Sequence, residues 1–307
     1  MDFGAHLPVI DFGEGPLSLD QLQAYAATAE ELGYATLSAN DHIVWQRPWL
    51  DGPTALTSVL THTGSMTLAT SICLVNVRHP AVVAKWLTTM ARLSGSRVIA
   101  GLGPGSSGAD YAAVGIPFDQ RWARFDEALD AVKALVQGHE APVGRFYDVA
   151  GVRLEPLPAR PPEVWFGSWG SDRRLRALAA TADGWMASGY HSTPAGFADA
   201  RARLDAHLVA CGRDPQTFPD IIATMWLYVT GSRREADRIL TDVLGPVLKR
   251  SADELAAQLP VGPPEHCIEL LQAYADVGAQ QVLLWPVNDA IDQLHRFDAL
   301  VRPHVSA

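Results

Sequence analysis

Hydrophobic and polar positions alternate along the chain in a repeating order: a short continuous apolar run, then a longer amphipathic one. The short runs are Phe3 to Leu7, Ala35 to Ala39, Met66 to Val75, Arg97 to Leu102, Glu163 to Phe166, Gly184 to Ala187, Ile221 to Val229 and Gln281 to Trp285. Most are short, nearly continuous apolar runs, as expected of strands buried on both faces. Between them, apolar residues recur every three to four positions over Leu19 to Leu32, Thr54 to Thr61, Pro80 to Leu93, Gln120 to Val136, Asp172 to Thr181, Pro194 to Ala210 and Ala290 to Val301. These segments predict helices.

Eight strands alternating with helices predict an α/β fold, a closed (β/α)8 TIM barrel, with an open doubly wound sheet as the alternative. Two stretches interrupt the rhythm. Residues 138–162 are rich in Pro and Gly with a hairpin-like Gly144-Arg145-Phe146-Tyr147, and 232–264 carry mostly helix-forming residues. Both are expected as insertions at the C-terminal face, where barrels carry their chemistry. With 307 residues, 48% of them hydrophobic, the chain can bury one barrel-sized core, so residues 1–307 are expected to form a single domain.

Charge then narrows the partners. A formal charge of -10 with 24 Lys plus Arg offers no basic surface for nucleic acid or an anionic membrane, so a small-molecule substrate is expected. Cys73, Cys211 and Cys267 lie far apart with no CxxC spacing, which fits a reduced compartment. No apolar run reaches the ~20 residues of a membrane span, and the first residues lack a signal peptide's basic and apolar regions. A cytoplasmic location is expected, and no cluster of His, Cys, Asp and Glu has metal-ligand spacing.

Candidate chemistry collects where strands should end. Asn40-Asp41-His42 with Trp45 follows the second strand and brings an acid, an imidazole and an indole together. Histidine titrates near neutral pH, and a neighbouring carboxylate such as Asp41 orients it or stabilises its cation, so His42 is the first candidate for proton transfer. Gly101-Leu102-Gly103-Pro104-Gly105-Ser106-Ser107 follows the fourth strand; it is either a ligand-approach loop or an ordinary glycine-rich turn. Gly167-Ser168-Trp169-Gly170-Ser171 leads into a helix whose N-terminal N–H groups suit an anion, or Ser171 is simply its cap. Arg78 and His79 before Pro80 are read as structural. His6, Tyr190, His191, Trp226 and Trp285 are further candidates at strand ends, as pocket aromatics or as core.

Taken in order, Asp41-His42 with Trp45, Thr70-Ser71-Ile72 leading to Arg78-His79-Pro80, Gly101-Leu102-Gly103-Pro104-Gly105, Gly115-Ile116-Pro117-Phe118 with Arg121 and Arg124-Phe125-Asp126-Glu127, and Ala182-Asp183-Gly184-Trp185 resemble the bacterial luciferase-like monooxygenase superfamily. The Asp-His pair and the glycine loop are most similar to its branch using the deazaflavin coenzyme F420; relatives using FMN share the fold. The resemblance implies a TIM barrel, commonly a homodimer, exchanging hydride at C5 of the deazaflavin. It implies that Asp41 bonds the cofactor ring, His42 gives or takes a proton, and Trp45 walls the substrate pocket, although Trp45 stands one residue closer to His42 than in the sugar-phosphate dehydrogenases. Ser71 and Ile72 fall where the family often has a non-prolyl cis peptide behind the ring. Gly101, Leu102 and Gly103 would line the ring, Ser106 or Ser107 would reach its polar chain, and Gly167, Ser168, Gly170 and Ser171 would bind its phosphate. Pro104 stands where the sugar-phosphate dehydrogenases place a catalytic Glu, which argues against sugar-phosphate oxidation. Three readings follow: an F420-dependent oxidoreductase, an FMN-dependent monooxygenase fed by a flavin reductase, and a non-catalytic carrier of either cofactor.

Overall fold

A computed structural model describes residues 1–13, 15 and 17–306. Eight parallel strands close on themselves: β1 (Asp2–His6), β2 (Thr36–Ala39), β3 (Thr67–Thr70), β4 (Val98–Gly103), β5 (Glu163–Gly167), β6 (Gly184–Ser188), β7 (Asp220–Val229) and β8 (Gln281–Pro286). Each pairs with the next, and β8 pairs with both β7 and β1, so the sheet has no free edge and the open alternative is excluded. Side chains alternate across each strand, and the inward set includes Ala69, Trp165, Met186, Ile221, Ala223 and Leu283, which fill the barrel. The outward set packs beneath the helices in one large apolar layer.

The helices form where the pattern placed them. Ser18 and Gln21 cap Leu19–Glu31 reciprocally, satisfying two of its orphan N–H groups. Pro80–Leu93 buries Val83, Ala84, Leu87, Met90 and Ala91, a stripe at helical spacing, and starts at Pro80 with the His79 ring accepting the Ala81 N–H. That is the structural role expected of His79.

Two departures bear on the site. The run Met66 to Val75 is not one strand: it breaks after Thr70 at a cis Ser71–Ile72 peptide, resumes as the two-residue Cys73–Leu74 against β4, then turns into a short helix at Val75–Arg78. The stretch 138–162 forms no hairpin among the described residues. It starts below the helix Arg121–Val136 and climbs its outside, where the Glu127 carboxylate accepts the backbone N–H groups of Arg145, Phe146 and Tyr147. It then descends past Lys85, Arg92 and Ser96 to enter β5 from the opposite end of the barrel. One carboxylate thus replaces the strand partner that those N–H groups lack. The stretch 232–264 does follow the C-terminal end of β7 and is largely helical, and its Val247 carbonyl accepts the Gln46 side chain from the loop after β2.

Candidate functional site

At the C-terminal mouth of the barrel lies a cavity of about 720 Å³. The loop after β2 supplies Asn40, Asp41 and His42 to its wall, the break after β3 supplies Ser71 and Ile72, and the loop after β5 supplies Gly167 through Ser171.

His42 is held by a residue far along the chain. Its Nδ1 lies 2.7 Å from Oδ2 of Asp110, and the other oxygen of Asp110 accepts the N–H groups of Ile43 at 2.7 Å and Val44 at 3.0 Å. Asp110 is fully buried, in the first turn of a short helix, Gly108–Ala113, that follows the glycine loop. The carboxylate that orients His42 is therefore Asp110 and not Asp41. Asp41, 1% exposed, is engaged instead by the Arg78 guanidinium in a bidentate pair of 2.7 and 2.6 Å and by the Leu74 N–H. Burial works against the charge on Arg78, but its hydrogen bonds to Asp41 and the charges of Asp41 and Asp51 outweigh it and hold its pKa above the usual value. Arg78 also reaches Asp51, so one cation ties both ends of the loop between them.

Ser71 and Ile72, joined by a cis peptide bond, both line the cavity, and Ile72 occupies the room left beside Gly103 and Gly167. A Cβ on Gly103 would lie 2.1 Å from Ile72 Cδ1, and one on Gly101 2.0 Å from the Thr70 carbonyl oxygen. Both glycines face packed atoms rather than open space. Gly101, Leu102, Gly103 and Ser107, expected beside a ring, are not among the residues lining the cavity: the room beside Gly101 is taken by the Thr70 carbonyl and Met186, that beside Gly103 by Ile72, and Leu102 is fully buried. Ser106 does line the cavity, with Pro104 and Gly105.

The far end suits an anion. Ser168, Gly170 and Ser171 precede the helix Asp172–Thr181, and Ser171, its N-cap residue, makes no side-chain capping bond. Arg121, Arg174 and Arg203 also line the cavity. Arg174 is nearly buried, 2.7 Å from Asp126 and stacked 4.0 Å over the Trp122 ring. Trp169, 61% exposed, stacks on His191 at 3.8 Å. Burial, and then the charge of Arg250, lowers the His191 pKa to about 4.

Trp45 was expected to wall the pocket but stands behind His42, 4.1 Å from it between ring centroids and edge-on to Trp49, off the cavity lining. Tyr190 lines the cavity, whereas His6, Trp226 and Trp285 pack together beside it. The structure thus brings His42, Asp41, Ser71, Ile72, Ser106 and the 167–171 loop together around one space. The sequence reading missed Asp110 and the tie between Arg78 and Asp41. An acidic residue opening a helix directly after a ligand-approach loop was the available signal for Asp110. Among the described residues no cluster of metal-ligating side chains occurs.

Comparison with known proteins agrees with this architecture. The sequence model of the luciferase-like monooxygenase family matches residues 5–281. The chain belongs to the luciferase-like monooxygenase family. Among the family's curated members, an uncharacterized protein of Mycobacterium tuberculosis is 31% identical over 244 residues, covering 71% of this chain and 82% of that one. An F420-dependent hydroxymycolic acid dehydrogenase of the same organism is 27% identical over 315 residues, covering 93% and 84%. The structure of an F420-dependent secondary alcohol dehydrogenase in complex with an F420-acetone adduct superposes with a TM-score of 0.85 over 100% of this chain and 99% of that one, at 16% identity. As in the relatives that carry an assigned activity, the protein is an oxidoreductase.

Proposed function

We infer that the protein is an F420-dependent oxidoreductase that moves a hydride between C5 of the deazaflavin and a small organic substrate, with His42 exchanging the accompanying proton. One observation carries this reading: a single cavity joins the His42–Asp110 pair, the Ile72 bulge and an anion-suited helix start. An F420-dependent relative matched over 93% of this chain favours that coenzyme over FMN.

The residues present fit such a group. Ser71 Oγ is buried in the wall without a protein partner, Ile72 offers an apolar face to a flat ring, and the 168–171 loop with three arginines offers donors and positive charge to a phosphate. When bound, the coenzyme supplies the hydride donor or acceptor. Asp110 accepts from Nδ1–H of His42, which leaves Nε2 as the nitrogen that exchanges a proton with the substrate oxygen. Arg78 keeps Asp41 in place, the helix start would hold the phosphate, and Ile72 would offer its apolar face to the ring. A carrier would have no use for an oriented imidazole, which weighs against the non-catalytic reading. Pro104, whose carbonyl accepts the Tyr111 hydroxyl at 2.5 Å, leaves no acid where the sugar-phosphate dehydrogenases use one.

Titration of the purified protein with F420 and with FMN tests the assignment. Saturable binding of F420 with little affinity for FMN is expected. A preference for FMN would overturn it in favour of a monooxygenase supplied by a flavin reductase.

A further inference from the structure

The segment Arg124-Phe125-Asp126-Glu127, near the start of the helix Arg121–Val136, gives each of its side chains a separate task. Arg124 stacks 4.5 Å over the Phe146 ring and Glu127 holds the N–H groups of residues 145–147, so both engage the outer stretch 138–162. Phe125 is fully buried and meets Phe166 of β5 at 4.7 Å between ring centroids, which seats the helix on the barrel. Asp126 does neither. Its half-exposed carboxylate accepts a hydrogen bond of 2.7 Å from Nη1 of Arg174. Arg173 and Arg176 on the same helix as that arginine are exposed, whereas Arg174 is 6% exposed. Arginine is seldom buried unless paired, and two side chains one turn apart on the neighbouring helix receive it: the Trp122 ring, 4.0 Å from the guanidinium carbon, and Asp126. Among the described residues the bond to Asp126 is the one hydrogen bond that the guanidinium makes. The rest of its fork of donors has no acceptor in the protein, while the residue lines the cavity and its backbone N–H meets the Ser171 carbonyl at 2.9 Å.

We propose that Asp126 is a positioning residue for the end of the cavity that takes an anion: acting through Arg174, it holds the guanidinium ready for the phosphate of the bound coenzyme. The proposal deepens the oxidoreductase reading and rests on it for naming the anion as the coenzyme's phosphate. A long side chain left free at a rim must be ordered when its ligand arrives, and that cost is subtracted from the affinity. Arg174 is spared it, because stacking fixes the plane of its fork and the carboxylate fixes the rotation within that plane. The charge of Asp126 opposes the attraction of Arg174 for an anion. With half of the carboxylate in water, that opposition is screened, and the gain in order outweighs it. The tether has a second effect. It joins the helix that follows β4 to the helix that follows β5, and so fixes the spacing between the two walls of this end, Ser106 on one side and the 168–171 loop on the other.

Titration of the full chain with F420, followed by fluorescence, and with inorganic phosphate, followed by phosphorus NMR, tests the proposal in Asp126→Ala and Asp126→Asn. Asp126→Ala is expected to weaken both ligands about three- to tenfold, the worth of ordering one long side chain. Asp126→Asn keeps an acceptor for Arg174 and should stay within about twofold of the parent protein. In an Arg174→Ala background, Asp126→Ala should cost nothing further, because the two residues act as one. A role confined to the fold would lower the urea midpoint and leave phosphate affinity unchanged, and a role as an electrostatic brake would make both variants bind phosphate more tightly. Either result would overturn the proposal, as would an equal loss with and without Arg174 or failure of inorganic phosphate to bind the parent protein. Weaker phosphate binding by Asp126→Ala in a protein that does not bind F420 would instead overturn the coenzyme reading and leave the positioning role standing.

Discussion

Asp110 holds His42 through one carboxylate oxygen and holds the two backbone N–H groups after His42 through the other. The same side chain therefore fixes both the ring and the loop that carries it, and it joins the loop after β2 to the helix after β4. Substituting it tests position and charge separately.

Asp110→Asn keeps an oxygen for the two N–H groups but removes the negative charge facing the imidazole. With a substrate in hand, kcat should fall about 10- to 100-fold, the usual cost of losing the partner of a functional histidine. The affinity for cofactor should be little changed. Asp110→Ala removes every acceptor at once and should also unfold at lower denaturant concentration, because each buried donor left unpaired costs about 1–3 kcal/mol. Steady-state kinetics and urea titration separate the two effects.

His42→Ala should lower kcat by about 10²- to 10⁴-fold, the range of a lost general acid or base. Cofactor Kd should move far less, because the end of the cavity proposed to hold the cofactor's phosphate lies on β5 and its following helix. Unchanged turnover would remove His42 from the mechanism.

Arg78→Met leaves the carboxylate of Asp41 buried without its cation. Removing one partner of a buried pair costs about 3–5 kcal/mol. A loss of that order in urea denaturation is expected. The double variant Arg78→Met with Asp41→Leu should recover part of it.

Gly101→Ala directs a methyl at the Thr70 carbonyl, 2.0 Å from the ideal Cβ position, and neither strand can yield without disturbing the ladder. A loss of about 1–3 kcal/mol is expected from overpacking. In Gly103→Ala the obstacle is the tip of Ile72, a movable side chain, so the larger effect there should be on cofactor affinity. Denaturation and cofactor titration of the two variants should show this reversal.

The His6 pKa lies well below its unfolded value, from 6.5 to about 3, because burial penalises the charged ring. The unfolded chain then binds a proton that the folded chain refuses. The stabilisation is complete above pH 6.5 and is lost as pH falls from there toward about 3, at roughly 1.4 kcal/mol per pH unit. Between pH 6 and 4, His6→Phe should lose stability less steeply than the parent protein by about that amount per unit. Equal slopes in urea titrations would contradict a buried neutral ring.

The barrel was legible because its strands are buried on both faces and its helices on one, and each condition leaves its own spacing in the sequence. Asp41, His42, Ser71 and Ser168 were legible as sites because loops at strand ends have few structural reasons to hold such residues. Asp110 was not, because its bond to His42 spans 68 positions and an acidic residue in a first helical turn already has a local explanation. The glycines at the end of β4 are ambiguous for a related reason. The pattern of missing side chains is the same whether the vacated room holds a ligand or, as with Gly103, a neighbouring Ile72.

The clasp that Arg78 makes between Asp41 and Asp51 has a consequence for how this mouth can diversify. With both ends pinned to one guanidinium, the residues from 43 to 50 form a closed span whose side chains can be exchanged without moving the wall that faces the cofactor. Asp110 asks of this span only two backbone N–H groups, which any residue other than proline supplies at 43 and 44. Trp45 and Trp49, which stand behind His42 and off the cavity lining, can thus be exchanged with the clasp left intact.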